Sequence, residues 1–288
     1  MSALAQAAKP RRARSRRPTP RPFLKWVGGK TQLLEQLLGR IPDDIGTYYE
    51  PFIGGGALFF ALKPERALLG DFNAELIGTY RAVRDELPKL IEVLESHYYE
   101  KNYFYEVRAL KPETLSSTEA AARTIFLNRA GFNGLYRVNS KGEFNVPFGR
   151  YTNPLICDHE NLEACSSLLQ GAKLQQGSFE TVLEQTTDGD FTYLDPPYVP
   201  LSKTSNFTGY VANGFGLDHQ KRLADLLVHL HRKGVRFMLS NAGCEASRKL
   251  YRDLPIPGLR IETVQARRSV NSRSSARGKV DEILVLNY

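Results

Sequence analysis

The chain has 288 residues, 42% of them hydrophobic and 24% charged, enough to bury one substantial core with room for an inserted lobe. Its formal net charge of +8 is concentrated at one end: residues 1–22 carry Lys9, Arg11, Arg12, Arg14, Arg16, Arg17 and Arg21 with no acid, and removing these seven leaves the rest near +1. A nucleic-acid groove must therefore be a local arrangement on an almost neutral body. No apolar run of about 18 residues occurs, so neither a membrane span nor a secretory leader is expected. Cys157, Cys165 and Cys244 are odd in number and lack C-x-x-C spacing, which predicts no disulfide framework, no zinc site and a reducing cytoplasm.

The basic tail reads as a phosphate-binding arm or a solubilising extension, with a transit-like segment as the lesser alternative. Beyond it, residues 31–38 (TQLLEQLL) have helical apolar spacing, stopped by Gly39 and Pro42. Residues 47–52 (TYYEPF) predict a short strand running into Gly54, Gly55 and Gly56. Residues 57–62 (ALFFAL) then predict a buried helix, and 67–69 a second strand leading to Asp71. Strand, glycine turn, helix and strand ending in an acid is the opening of a doubly wound α/β fold. From 77 to 158 the pattern changes, with helices expected over 90–97 and 118–128 and a hairpin over 137–148 turning at Ser140, Lys141 and Gly142. Short apolar strands then resume at 191–194, 236–240 and 282–286, with an amphipathic helix over 218–233. The expected organisation is a tail (1–22), one α/β domain (23–76 and 159–288) and an inserted lobe (77–158).

Asp195, Pro196, Pro197 and Tyr198 follow the strand FTYL directly, which places them at the ligand crevice of an open sheet. Two prolines fix φ and supply no N–H, so the Pro196 carbonyl can stand as a rigid acceptor beside the Asp195 carboxylate. Together they can take both hydrogens of an –NH2 group. An exocyclic base amine is a poor nucleophile because its lone pair is delocalised into the ring. Two fixed acceptors favour a pyramidal nitrogen aligned for attack on a methyl sulfonium. Tyr198 can stack on the base. Taken alone, the four residues leave a plain turn after a strand as the lesser reading.

Six blocks in order add to this: 23–30 (FLKWVGGK), 50–59 (EPFIGGGALF), 71–80 (DFNAELIGTY), 126–151 (FLNRAGFNGLYRVNSKGEFNVPFGRY), 195–210 (DPPYVPLSKTSNFTGY) and 267–284 (RRSVNSRSSARGKVDEIL). In this arrangement the chain resembles the Dam-type DNA adenine-N6 methyltransferases across nearly everything after Pro22. The resemblance implies a doubly wound, Rossmann-like S-adenosylmethionine-dependent methyltransferase sheet, with an inserted helical DNA-recognition lobe carrying a β-hairpin. It implies a cofactor site at Trp26, Lys30, Pro51, Phe52, Gly54, Gly56, Asp71, Phe72 and Asp195, in which Asp71 takes the ribose hydroxyls. Without the resemblance, Trp26 reads as a half-buried core aromatic and Lys30 as a solvated helix-start lysine.

The same resemblance implies that the lobe reads GATC in double-stranded DNA. Leu135 corresponds to a residue that wedges into the duplex and Arg137 to one that reads guanine, for which arginine offers paired donors to O6 and N7. Lys25, Phe132, Asn133, Asn139, Pro147 and Arg150 lie at the neighbouring DNA contacts. Phe132 stands where many relatives have Tyr, which puts one phosphate contact in doubt. The cations Arg267, Arg268, Arg273, Arg277 and Lys279 form either a phosphate-contacting loop or an ordinary basic surface loop. Residues 206–208 are expected in a loop that orders over a flipped adenine. The implied enzyme is a monomer of the prokaryotic cytoplasm, associated with the nucleoid. It needs no metal, because the sulfonium is already an activated leaving group. Rival readings are transfer to cytosine N4, RNA adenine or a protein amide, and a DNA-binding protein that kept the fold without catalysis.

Overall fold

Short apolar runs need cover on both faces, and in this chain they become the middle of a single sheet. The computed structural model describes residues 18–198, 215–267 and 279–288. Among these, β1 (Tyr48–Glu50), β2 (Ala67–Asp71), β3 (Ala172–Gln176), β4 (Phe191–Leu194), β5 (Arg236–Ala242), β6 (Arg260–Arg267) and β7 (Lys279–Leu286) lie in the order β3-β2-β1-β4-β5-β7-β6. β1 to β5 pair in parallel. β7 runs antiparallel to β5, and β6 antiparallel to β7. The order 3-2-1-4-5 is that of a doubly wound fold, here completed by a hairpin in place of a sixth parallel strand.

Successive strand residues face opposite sides, and the core divides accordingly. Tyr48, Leu69, Phe191, Tyr193, Met238 and Leu284 join one apolar cluster, while Tyr49, Leu68, Leu194, Phe237, Leu239 and Ile283 join the other. Ten helices supply the cover among the described residues: α1 (Leu34–Leu38), α2 (Ala57–Leu62), α3 (Ala74–Asp85), α4 (Leu87–Ser96), α5 (Lys101–Ala109), α6 (Ser117–Ala130), α7 (His159–Leu169), α8 (Phe179–Leu183), α9 (Leu217–Arg232) and α10 (Glu245–Arg252).

A capping box between Ser116 and Glu119 starts α6. This helix is buried nearly all round because it serves two cores. Ala121, Ala122 and Ile125 pack toward the sheet, while Phe126, Leu127 and Ala130 join Phe104, Tyr136, Phe144 and Val146 in a separate cluster. α3 sends Leu76, Ile77, Tyr80 and Val83 into the sheet-side cluster. The expected hairpin exists as isolated antiparallel bridges, Gly131 with Phe148 and Val138 with Phe144.

The sequence leaves β3 and β6 unmarked. Both are edge strands, AKLQQ and RIETVQAR, whose polar residues blunt the period-2 signal of a half-buried strand. It also leaves α3, α5, α7, α8 and α10 unmarked. α8 is five residues long, and α10 buries just Ser247 and Tyr251.

Candidate active site

Strand order fixes where a ligand can lie. β1 and β4 are neighbours, yet the chain leaves β1 toward β2 and β3 and builds outward from β4 toward β5. A crevice therefore opens at their carboxyl ends, where the connections part. β1 ends at Glu50 and runs through Pro51 and Phe52 to the glycine turn, while β4 delivers Asp195.

Asp195 and the residues after it are clamped by side chains from three separate segments. Lys30 Nζ donates to Asp195 Oδ2 at 2.7 Å and to the Gly28 carbonyl at 2.8 Å. The lysine side chain is 6% exposed and the aspartate 19%, so the pair is shielded without being sealed from solvent. The same ammonium lies 5.0 Å from the centroid of the Tyr198 ring. The Tyr198 hydroxyl donates to Glu282 Oε2 at 2.7 Å, and Gln220 Nε2 donates to the Pro197 carbonyl at 3.0 Å. Burial pushes the Asp195 carboxyl up to about 6 against the charge and hydrogen bond of Lys30, which pull it down. In its ionised form, which the Lys30 charge favours, it can accept a hydrogen bond from an amine.

The glycine turn is shaped around Trp26. Gly54 (φ 47°) and Gly56 (φ 69°) take the left-handed conformation. A Cβ on Gly54 would stand 2.7 Å from the Trp26 ring, and one on Gly56 2.7 Å from the Tyr80 hydroxyl. The Gly54 N–H donates to Asp71 Oδ2 at 3.2 Å, the Asn73 N–H to Oδ1 at 2.9 Å, and the Tyr80 hydroxyl to the Gly54 carbonyl at 3.0 Å. Turn and acid are one hydrogen-bonded unit. Burial still raises the Asp71 carboxyl to about 6 despite these bonds. Phe72 beside it is 56% exposed. A tight turn that excludes Cβ, a poorly solvated acceptor and an open aromatic ring fit a nucleoside-bearing cofactor. Phe52 instead packs inward, stacked on Phe179 at 5.5 Å with Phe215 edge-on at 5.7 Å.

The hairpin abuts this site. Trp26 stacks on Tyr136 at 4.9 Å, and the Tyr136 hydroxyl donates to Glu75 Oε2 at 3.0 Å. Asn128 ties the first block to the loop before the hairpin. It accepts from the Lys25 N–H at 2.8 Å and donates to the Lys25 and Gly134 carbonyls, each at 2.9 Å. Lys25 itself lies over the Tyr151 ring at 5.3 Å. Phe132, Asn133, Arg137, Pro147 and Arg150 are exposed, while Leu135 is half-buried. Two of the expected DNA contacts are engaged within the hairpin. Arg137 Nε donates to Asn145 Oδ1 at 2.7 Å, and Asn139 Oδ1 accepts from the Lys141 and Glu143 N–H groups at 2.9 and 3.0 Å.

Three site residues carried no assigned role in the sequence. Glu50 is 3% exposed and accepts from the Tyr48 hydroxyl at 2.7 Å. Burial raises it to about 8, and the Asp195 charge adds to this, while Tyr48 and Lys30 oppose it. Its signal was its place before Pro51, at the mouth of the glycine turn. Gln220 and Glu282 arrive from α9 and β7, far along the chain, and only folding brings them to Pro197 and Tyr198. The tail before Pro18, the 206–208 loop and the side chains of the basic run from Arg267 to Lys279 lie outside the described residues. Among the described residues no group of three or more His, Cys, Asp or Glu is arranged to hold a metal ion, and no helix is long and apolar enough to cross a membrane.

Residues 26–270 match the family model of D12 class N6 adenine-specific DNA methyltransferases. The chain is 46% identical over 276 residues to the type II methyltransferase M1.LlaDCHI of Lactococcus lactis, covering 93% of this chain and 95% of that one. It is 40% identical over 291 residues to the type II methyltransferase M.MjaIII of Methanocaldococcus jannaschii, covering 93% and 99%. With the DNA adenine methylase of Escherichia coli it shares 33% identity over 270 residues, covering 92% and 95%. A glycine turn beside Asp71, a secluded Asp195 at the end of β4 and these matches along nearly the whole length agree: the chain belongs to the D12 class of N6 adenine-specific DNA methyltransferases, which move a methyl group from S-adenosylmethionine to adenine.

Proposed function

We propose that this enzyme methylates the adenine of GATC in double-stranded DNA, taking the base out of the duplex into the crevice at Asp195, Pro196, Pro197 and Tyr198. The observation that carries the flipping step is the seclusion of Asp195, 19% exposed against a Lys30 side chain that is 6% exposed, a depth at which a stacked base cannot present its amine. Extrusion costs a few kcal/mol, which stacking on Tyr198 offsets. Trp26, Lys30, the turn at Gly54 and Gly56, Asp71 and Phe72 would hold the cofactor. S-adenosylmethionine supplies a methyl group already activated on a sulfonium. Asp195 and the Pro196 carbonyl accept the two N6 hydrogens, hold the nitrogen in line and leave its lone pair free. Lys30 keeps Asp195 ionised for that role.

Support for GATC comes from the resemblance of the 126–151 block and from the exposure of Arg137, Asn133 and Phe132 on the segment whose Gly134 meets the Lys25 side chain. Arg137 would exchange its bonds to Asn145 for guanine. The test is methyl transfer from labelled S-adenosylmethionine to duplexes carrying GATC, a one-base variant, or GATC methylated on both adenines. Label is expected in unmethylated GATC alone, recovered as N6-methyladenine, and label spread over other sequences would refute the recognition assignment. 2-Aminopurine at the target position should brighten on binding, and an unchanged signal would argue against flipping. Arg137→Ala should relax discrimination at one guanine by about 1–3 kcal/mol.

Identity to the two type II methyltransferases, at 46% and 40%, exceeds that to the DNA adenine methylase at 33%, which favours the modification half of a restriction system over a solitary methylase. A neighbouring gene for an endonuclease that cuts only the unmethylated site would support that, and its absence would favour the solitary role.

A further inference from the structure

Pro196 and Pro197 bring no N–H to the loop after β4, so the loop cannot be held by ladder bonds donated from those positions. Their φ angles are fixed by the rings, and the remaining freedom is the rotation that turns each carbonyl. Among the described residues no donor reaches the Pro196 carbonyl, whereas the Pro197 carbonyl receives Gln220 Nε2 at 3.0 Å. Gln220 lies on α9 and is 1% exposed. Its Oε1 accepts from Asn241 Nδ2 on β5 at 3.2 Å and from the Tyr251 hydroxyl on α10 at 3.1 Å.

A glutamine amide can sit either way round, and its partners decide. Asn241 is itself oriented, because its Oδ1 accepts the Ala242 N–H at 2.8 Å and its Nδ2 also donates to the Tyr251 oxygen at 3.0 Å. With two donors directed at Oε1, the Gln220 –NH2 must face Pro197. Apolar side chains of the same size would fill this interior without burying two amides and a hydroxyl, but they could not hold a carbonyl.

We infer that Gln220, oriented by Asn241 and Tyr251, is a positioning residue for methyl transfer: by fixing the Pro197 carbonyl it aims the Pro196 carbonyl at the substrate amine and sets the Tyr198 ring against the face of the base. This rests on the reading that Asp195 to Tyr198 takes that amine. Tyr198 is anchored at its far end by Glu282, so a rotation at Pro197 shifts the ring and the preceding carbonyl together.

The test compares Gln220→Met, Tyr251→Phe and Asp195→Ala in the full-length enzyme, by single-turnover transfer at saturating S-adenosylmethionine and duplex for the transfer step and by steady-state titration of each for kcat and KM. Rates are normalised to active sites titrated with the cofactor. Gln220→Met keeps the shape and loses the donor. Its kcat should fall between about tenfold and about a hundredfold, as for a reacting group misplaced by a fraction of an ångström to one ångström. KM for cofactor and duplex should stay within about twofold, since the lost interaction is one felt in the transition state. Tyr251→Phe frees the amide to turn over and should lower kcat in the same direction by less. A Gln220→Met enzyme that transfers at the parental rate, or loses activity through KM alone, overturns the inference. Should that variant not fold, an unchanged kcat in Tyr251→Phe overturns it instead. If Asp195→Ala still transfers, the amine is held elsewhere and the underlying reading fails as well; if Asp195→Ala is inactive while Gln220→Met is fully active, only the role of Gln220 is lost.

Discussion

Asp195 is pulled two ways, and the balance sets a pH dependence. Burial raises its carboxyl to about 6, while Lys30 at 2.7 Å lowers it. If, as proposed, the ionised form accepts the amine hydrogen, kcat/KM for duplex should rise with pH through about 6 and then level off. Lys30→Met removes the lowering charge and should move that acidic limb upward by about one unit, which a pH–rate profile would show. An unmoved limb would assign the titration to another group. Glu50 makes the complementary case for stability. Its carboxyl rises from 4.5 to about 8 on folding, so between those values the folded chain holds a proton that the unfolded chain has lost. Its contribution is complete below the lower value and declines as pH climbs toward the higher one. Glu50→Gln abolishes that titration. The melting temperature of the parent should fall relative to the variant across this window, and parallel curves would contradict the assignment.

The turn between β1 and α2 shows what a whole element adds to its residues. Gly54 holds a left-handed φ of 47°, its N–H serves Asp71, and its missing Cβ makes room for the Trp26 ring. Gly54→Ala imposes about 1–2 kcal/mol of backbone strain. The melting temperature should therefore drop by about 2–8 °C. Because the indole must also move, S-adenosylmethionine should bind more weakly in titration calorimetry, and a loss of stability with unchanged affinity would separate the turn from the cofactor. This element was legible from sequence because consecutive glycines after a strand have few other uses. β4 was legible for the same kind of reason, four buried residues rich in apolar and β-branched side chains, followed by Asp195 and the pair Pro196 and Pro197. The edge strands β3 and β6 were not, since strand pairing is made by partners rather than by their own polar sequences.

Across the whole molecule, charge is segregated. The body is nearly neutral, and the tail joins it where Arg21 bonds Asp158 at 2.6 Å and Phe23 enters the core at 1% exposure. Deleting residues 1–20 therefore leaves this anchor in place and removes six of the seven tail cations. Duplex binding should weaken chiefly at low salt, with a shallower dependence of log K on log salt concentration, because fewer counterions are released. An unchanged slope would show that the tail does not meet phosphate. The sequence by itself determined the family, because the glycine turn, Asp71 and the Asp195 to Tyr198 run are each made by residue types within a few positions of one another and recur in the family's order. It also determined the central strands β1, β2, β4, β5 and β7 and the helices α2, α4, α6 and α9, which follow from apolar period, but not the edge strands or the less apolar helices. Tertiary structure alone decided that Lys30 would neutralise Asp195, that Trp26 would stack between the glycine turn and Tyr136, and that Gln220 and Glu282 would fix the Pro197 carbonyl and the Tyr198 hydroxyl. Those pairs are separated by long stretches of chain, and local propensity holds no record of a contact that only the packed sheet brings within hydrogen-bonding reach.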